Sequence, residues 1–245
     1  MAIVNAPVSQ ALLAALGPGP DDVILELAGG TGELAALLAP RVAQVIYTDF
    51  SPAMVDVARR RRTPGVEHRV IDMQAIDLPD ASVDGVICRY GYMLVPDPAL
   101  AMRETRRVLR PGGRVALATW AGAKNNPWAT RYGPVLIERG LLEPPPPGAP
   151  GQFALGEPEQ IESLARAAGF TDVDVEEVAI EFHFADWNEY RRVITSLAAS
   201  LRETLAGLDE PTRAEVDEAA RARFEHFATA SGYTLPGVAL VARAS

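Results

Sequence analysis

The sequence predicts an α/β fold with a doubly wound, mostly parallel sheet of about seven strands and helices on both faces. Between about residues 22 and 120, apolar runs of strand length alternate with segments of helix length. This alternation is typical of βαβ units joined by right-handed crossovers. The first apolar run ends at a glycine-rich turn, residues 28–32. Doubly wound folds bind nucleotide cofactors at such a junction, so this turn is the first candidate site.

The individual elements follow from hydrophobic periodicity and from capping residues. Strands are expected at about 23–27, 44–48, 67–71, 84–88, 114–119, 172–184 and 233–242. Helices are expected at about 6–16, from 33, at 52–62, 98–109 and 157–168, and in two pieces over 186–230 that break near residue 207. Ser51 and Asp97 each precede a proline, which suits an N-cap followed by the first helical residue. The whole pattern predicts a Rossmann-like sheet.

The full chain, residues 1–245, is expected to form a single domain. Two segments, 121–156 and 186–231, depart from the regular alternation. They are interpreted as insertions, helical lids that cover the ligand-binding edge of the sheet. Residues 110–113 are expected to form a turn, and the four prolines at 144–147 an extended surface segment.

Charge and composition limit the partners. The formal net charge of the 245-residue chain is −9, which argues against nucleic acid and anionic membranes and favours a small-molecule substrate. The single cysteine, Cys88, cannot form an internal disulfide, and no membrane span or signal peptide is recognisable. A cytoplasmic location is therefore expected, and the sequence leaves a homodimer open.

The glycine turn taken alone allows two kinds of cofactor. Gly30, Gly32 and Ala35 also fit the dinucleotide fingerprint, so an NAD(P)-dependent oxidoreductase is an alternative. Glu26, just before the turn, would repel a pyrophosphate but would suit a cationic ligand. Asp49, at the end of the second strand, could hold ribose hydroxyls with either cofactor.

Further motifs follow the glycine turn in a fixed order. They are Glu26-x-x-Gly29-Gly30-x-Gly32, Asp49, Asp72-Met73, Leu78-Pro79-Asp80 with Val83-Asp84, and Arg110-Pro111-Gly112-Gly113. Over about residues 22–120 the chain thus resembles class I S-adenosylmethionine-dependent methyltransferases of type 11. Most of these carry glycine at the position of Ala28. The variant Ala-Gly-Gly-Thr-Gly is similar to that of the ubiquinone/menaquinone-biosynthesis C-methyltransferases.

The resemblance implies S-adenosyl-L-methionine as cofactor and S-adenosyl-L-homocysteine as product. The implied cofactor-binding residues are Glu26, Ala28, Gly29, Gly30, Thr31, Gly32, Asp49, Phe50, Met54, Asp72, Met73 and Arg89. The turn would lie against the methionine part, and Asp49 would accept both ribose hydroxyls. Phe50 and Met54 would pack on the adenine, Asp72 and the Met73 backbone would meet its amino group, and Arg89 would line the methionine end.

The expected reaction is methyl transfer to an O, N or C atom of a small molecule. Positioning can supply much of the catalysis, and a general base is needed only if the acceptor must lose a proton. His183 is the best candidate base, whereas His68 and His226 are expected to be structural. No spacing typical of metal ligands is present. A non-catalytic, cofactor-binding protein of methyltransferase type is a second alternative.

Five aromatic residues cluster in sequence near the ends of the fourth and fifth strands. They are Tyr90, Tyr92, Trp120, Trp128 and Tyr132. They are expected either to form an aromatic wall for the methyl acceptor or to pack in the core.

Overall fold

The computed structural model of the chain describes residues 5–146 and 148–245. Its strands are β1 Val23–Leu27, β2 Gln44–Asp49, β3 Val66–Val70, β4 Val83–Arg89, β5 Leu109–Trp120, β6 Val173–Phe184, β7 Ala228–Thr229 and β8 Gly232–Ala244. Its α-helices are α1 Ala6–Leu16, α2 Glu33–Leu38, α3 Pro52–Arg59, α4 Pro98–Val108, α5 Gly133–Glu138, α6 Pro158–Ala167, α7 Trp187–Leu197, α8 Ala199–Ala206 and α9 Glu210–Phe224. The predicted α/β class is confirmed.

The strands of the described chain form one sheet with the order β3-β2-β1-β4-β5-β8-β6, and β7 pairs with β8. This makes eight strands, one more than predicted, because the short β7 adds a hairpin strand. β3, β2, β1, β4 and β5 pair in parallel, and β8 is antiparallel to β5. The strand order changes direction between β1 and β4. Ligands of open α/β sheets bind at the carboxyl ends of the strands beside such a switch point.

Local sequence explains why these elements form where they do. β1 carries an almost continuous apolar run, and Ile24, Leu25 and Leu27 are all buried, as expected for a parallel strand covered on both faces. The Ser51 hydroxyl accepts a hydrogen bond from the Met54 N–H at the start of α3. The Asp97 carboxylate does the same for the Leu100 N–H, at 2.8 Å, at the start of α4. Both predicted N-caps are confirmed.

Two details differ from the sequence prediction. The expected turn at 110–113 lies within β5, where the pairing with β4 jumps from Val83↔Leu109 to Gly85↔Arg114. The turn therefore bulges out of a strand that continues on both sides. The helical segment after residue 186 breaks near Gly207 as predicted, but it also breaks at Ala198, which has an extended backbone. An alanine gives no sequence signal for a helix end.

The chain divides into two compact units. The first comprises the residues up to 122, 150–178 and 239–245, and the second comprises 123–149 and 179–238. The first unit contains β1–β5 with α1–α4 and α6, and the second contains α5 and α7–α9. The second unit overlaps both predicted insertions. Their role as covers of the ligand edge stays a prediction.

The second unit has an aromatic core of its own. Tyr190 and Phe224 are fully buried, with ring centroids 4.6 Å apart, and Trp187 packs against both. Of the four-proline run, residues 144–146 have no regular secondary structure, and Pro147 lies outside the described residues. No helix among the described residues is long and apolar enough to cross a membrane.

Candidate cofactor site

The glycine turn after β1 is closed on one side and open on the other. A Cβ on Gly29 would lie 2.3 Å from Cε2 of Tyr47, which is fully buried. A Cβ on Gly30 would meet no heavy atom within 4 Å. The turn also needs left-handed backbone at Gly30, with φ of 55°, and at Ala28, with φ of 53°. Glycine adopts this conformation without strain, whereas alanine adopts it only with backbone strain.

Glu26 lies at the base of this turn with only 2% of its surface exposed. The Ala35 N–H interacts with its carboxyl, but one oxygen, Oε2, is buried without a hydrogen-bond partner among the described residues. Burial raises the pKa of Glu26 to about 8, against the opposing effect of the Arg89 charge. The carboxyl is therefore mostly neutral at pH 7 and has an unused acceptor.

Asp49 ties the end of β2 to the glycine turn. Its Oδ2 accepts the Gly30 N–H at 2.9 Å, and its Oδ1 accepts the Ser51 N–H at 2.8 Å. The Tyr47 hydroxyl donates to the Gly30 carbonyl at 2.5 Å. A carboxylate oxygen can accept more than one hydrogen bond, so both oxygens of Asp49 retain capacity for hydroxyl groups of a ligand.

Two large apolar side chains follow Asp49 and face solvent. Phe50 is 75% exposed and Met54 is 42% exposed. Exposed apolar groups beside convergent polar groups are typical of a ligand site. Further along the same sheet edge, Asp72 is half-buried and accepts the Gln74 N–H at 2.9 Å, whereas Met73 is buried.

Arg89 ends β4 and connects the turn region to the N-terminal helix. Its guanidinium donates to the Ser9 hydroxyl of α1 at 2.6 Å and lies 3.5 Å from the Glu33 carboxylate. Glu33 also forms an ion pair with Arg61, at 3.5 Å. Sequence reasoning missed Ser9 and Glu33. Ser9 is 80 residues from Arg89 and carries no local motif, although Glu33, directly after Gly32, could have been noticed.

Tyr90 follows Arg89 in an unusual conformation. It has a left-handed backbone with φ of 65°, and its ring stacks on Trp120 at a centroid distance of 4.4 Å. Its hydroxyl is buried and has no hydrogen-bond partner in the described part of the chain. A Cβ on the next residue, Gly91, would lie 2.7 Å from the Cβ of Ala28. Two non-glycine residues with left-handed backbone, Ala28 and Tyr90, thus lie on adjacent loops beside the β1/β4 switch point, a placement typical of functional sites.

The other aromatic residues pack in cores. In the first unit, Tyr92 is fully buried and its hydroxyl lies 2.5 Å from that of Thr105. In the second unit, Trp128 stacks on Phe182 at 4.2 Å, and the Tyr132 hydroxyl donates to Asp217 at 2.7 Å. Core packing therefore accounts for Tyr92, Trp128 and Tyr132.

Two of the three histidines, His183 and His68, lie in different settings. His183 belongs to the second unit, and its side chain is 67% exposed; its Nδ1 lies 3.0 Å from the Thr234 hydroxyl. Its role as a base stays a prediction. His68 lies on β3 beside the Tyr47 ring, and burial lowers its pKa. Among the described residues, no cluster of three or more His, Cys, Asp or Glu side chains could hold a metal ion.

Residues 25–117 match the methyltransferase domain family. The resemblance indicated by the motifs is confirmed. A demethylmenaquinone methyltransferase from Mycobacterium sp. (strain JLS) is 35% identical over 125 residues, which cover 51% of this chain and 53% of that protein. The chain thus spans about half the length of the curated relatives it matches.

Solved structures share the fold beyond the matched segment, and not all of them are named methyltransferases. Phosphoethanolamine N-methyltransferase 2 of Haemonchus contortus, in complex with S-adenosyl-L-methionine, has a TM-score of 0.60 at 20% identity, covering 98% of this chain and 52% of that one. The [4+2]-cyclase SpnF has the same TM-score at 19% identity, covering 97% and 80%. At these identities the likeness shows the fold alone.

Proposed function

We propose that this protein transfers a methyl group from S-adenosyl-L-methionine to a small-molecule acceptor. The observation that carries the proposal is the buried Glu26 carboxyl, whose Oε2 has no partner and which lies beside a turn that is open at Gly30. A cationic ligand that donates hydrogen bonds satisfies this acceptor, whereas a pyrophosphate does not. The family match over 25–117 supports this choice of cofactor.

The residues at the sheet edge fit the parts of this cofactor. Glu26 and the turn 28–32 would hold the methionine part, with Arg89 near its end, and Asp49 would accept the ribose hydroxyls. Adenine would pack against Phe50 and Met54, with its amino group near Asp72 and the backbone of Met73. The exposure of Phe50 and Met54 supports this assignment, because an adenine ring would remove their apolar surface from water.

When bound, the cofactor supplies a methyl group already activated on a sulfonium, with a neutral leaving group. The contribution of the chain is then to bind, orient and desolvate the reactants. A positive charge beside Glu26 favours its ionised form, so binding is linked to release of the Glu26 proton. Tyr90, with its unpartnered hydroxyl at the end of β4, is our candidate contact for the acceptor. His183 remains the candidate base.

The acidic balance of the chain, with a net charge of −9, supports a small neutral or cationic acceptor rather than a nucleic acid or a membrane surface. The same proposal includes a cytoplasmic location and allows a homodimer.

Calorimetric titration with S-adenosyl-L-homocysteine and with NADH tests the cofactor. We expect the former to bind and the latter not to bind. The variant Asp49→Ala lacks the carboxylate that accepts the Gly30 N–H and that would accept both ribose hydroxyls. The affinity of this variant for S-adenosyl-L-homocysteine should therefore fall about 100-fold. Asp56→Ala, which removes an exposed carboxylate of α3, is the matched control and should bind like the parent. If NADH bound and S-adenosyl-L-homocysteine did not, the proposal would be wrong and an NAD(P)-dependent oxidoreductase would be favoured.

A second candidate is a protein that binds the cofactor without transferring its methyl group. It is favoured by the [4+2]-cyclase among the structural neighbours, since that protein shares the fold and is named for another reaction. Incubation with methyl-labelled cofactor and a panel of quinols, phenols and amines separates the two. Tight binding of S-adenosyl-L-homocysteine with no labelled product from any acceptor class would favour this second candidate.

A further inference from the structure

A cleft within the second unit is lined by arginine side chains from three helices. The arginines are Arg191 and Arg192 of α7, Arg202 of α8 and Arg213 of α9. The cleft has a volume of about 430 Å³, which lies in the range of pockets that hold small organic ligands. Among the described residues, no carboxylate lines it. Four guanidinium groups therefore converge on one cleft in a chain whose net charge is −9.

The spacing of residues on α7 brings these polar groups together. Asn188, Arg191, Arg192 and Thr195 all line the cleft, and they follow each other at i, i+3, i+4 and i+7. Residues with this spacing lie on one face of a helix. Two turns of α7 thus direct hydrogen-bonding side chains to the same cleft.

Two of the four guanidinium groups have a carboxylate partner among the described residues. Arg191 lies 3.0 Å from Asp217, and Arg213 pairs with Glu210. Arg192 and Arg202 are exposed and form no ion pair with any other described residue. In the part of the chain that the structure describes, these two positive charges of the cleft have no carboxylate counter-charge, which favours a doubly charged anion.

We propose that this cleft binds a phosphorylated small molecule, with its phosphate between Arg192 and Arg202. A phosphate monoester carries nearly two negative charges at neutral pH, and guanidinium groups bind it through paired hydrogen bonds. Asn188 and Thr195 also line the cleft and offer hydrogen-bonding groups to the organic part of the ligand. The cleft and the glycine turn have no residue in common, and the proposal does not depend on methyl transfer.

Calorimetry with the 245-residue protein tests this site, with glycerol 3-phosphate and inorganic phosphate as probes at constant ionic strength. We expect both to bind, and glycerol 3-phosphate to bind more tightly because its hydroxyl groups add hydrogen bonds to Asn188 and Thr195, which line the cleft. The double variant Arg192→Ala/Arg202→Ala should raise the Kd of glycerol 3-phosphate at least about tenfold. The control Arg221→Ala/Arg243→Ala removes the same charge from two exposed, ion-paired arginines outside the cleft, and its Kd should stay within about twofold.

Several results would overturn the proposal. They are no binding of glycerol 3-phosphate to the parent, an unchanged Kd in the cleft variant, or an equal loss in the control. Binding of phosphatidic-acid vesicles without binding of glycerol 3-phosphate would also overturn it, in favour of a membrane surface. Thermal unfolding without ligand checks that both variants fold. Their affinity for S-adenosyl-L-homocysteine should equal that of the parent, which keeps this test distinct from that of the glycine turn.

Discussion

The glycine turn of the first unit and the arginine-lined cleft of the second are built in opposite ways. The turn is a short run of consecutive residues whose backbone forms the site, with one buried carboxyl, Glu26, that is mostly neutral at pH 7. The cleft is built from side chains of three helices, and two of its charges, on Arg192 and Arg202, are exposed. A backbone-built site tolerates few changes, whereas an exposed side-chain site can change without loss of the fold.

The largest expected effect is on the pH dependence of stability, which should change when the buried carboxyl of Glu26 is replaced but not when an exposed carboxyl of the second unit is replaced. Burial raises the pKa of the Glu26 carboxyl from 4.5 to about 8, so between these pH values the folded protein keeps a proton that the unfolded chain has lost. The free energy of unfolding then falls as the pH rises through this range, by up to about 5 kcal/mol. Glu26→Gln removes this loss, so its stability relative to the parent should rise between about pH 5 and pH 9. Urea unfolding at several pH values measures the effect.

The matched variant in the second unit is Glu203→Gln, which changes an exposed carboxylate of α8. Its stability should differ from that of the parent by less than about 0.5 kcal/mol at each pH. If the advantage of Glu26→Gln were the same at pH 5 and pH 9, Glu26 would not be held protonated in the fold.

One glycine-to-alanine substitution in each unit compares how much stability is lost when a side chain is added to the backbone. Gly29→Ala places a Cβ 2.3 Å from the buried Tyr47 ring, and should cost about 1–3 kcal/mol of stability. Gly207→Ala, at the end of α8 in the second unit, keeps a right-handed backbone with φ of −80°, and its Cβ would lie 3.6 Å from the nearest heavy atoms, so it should be neutral or stabilising by up to about 1 kcal/mol. Thermal unfolding measures both variants, and equal losses of stability would contradict a stricter backbone requirement at the glycine turn.

The smallest expected difference in stability is between two variants that each remove one tyrosine hydroxyl. The Tyr132 hydroxyl donates to Asp217 in the second unit, so Tyr132→Phe should cost about 1–2 kcal/mol. The Tyr90 hydroxyl is buried without a partner, so Tyr90→Phe should be neutral or stabilising by about 1 kcal/mol. Denaturant unfolding compares the two. A clear loss of stability in Tyr90→Phe would mean that this hydroxyl has a structural role and is not kept for a ligand.

The first four strands could be predicted to within one residue at each end, because each has strand-type hydrophobic residues bounded by turn-forming residues. The extra break at Ala198 could not, since an alanine favours a helix and tertiary packing overrode this preference. The bulge at 110–113 was recognised as a turn, but the sequence does not show that β5 pairs with β4 on both sides of it. That pairing depends on the register with a strand far away in sequence.

The residues of the candidate site were predicted better than their interactions. Glu26 and Asp49 were found from their positions at strand ends, because parallel strands bring their carboxyl ends to one edge. The hydrogen bond from Arg89 to Ser9 and the close approach of Tyr47 to Gly29 join residues that no motif connects. The arginine-lined cleft was missed altogether, because its members appear in the sequence only as helical surface residues.

The sequence by itself determined the order of strands and helices, the glycine turn, and the acidic residues that follow the strands, since each depends on local periodicity and on conformations few residues adopt. Only the tertiary structure decided that Glu26 is buried with an unused acceptor, that Tyr90 is held on Trp120, and that Arg192 and Arg202 share one cleft. Burial and the meeting of distant side chains depend on how whole elements pack, and no single stretch of the chain encodes them.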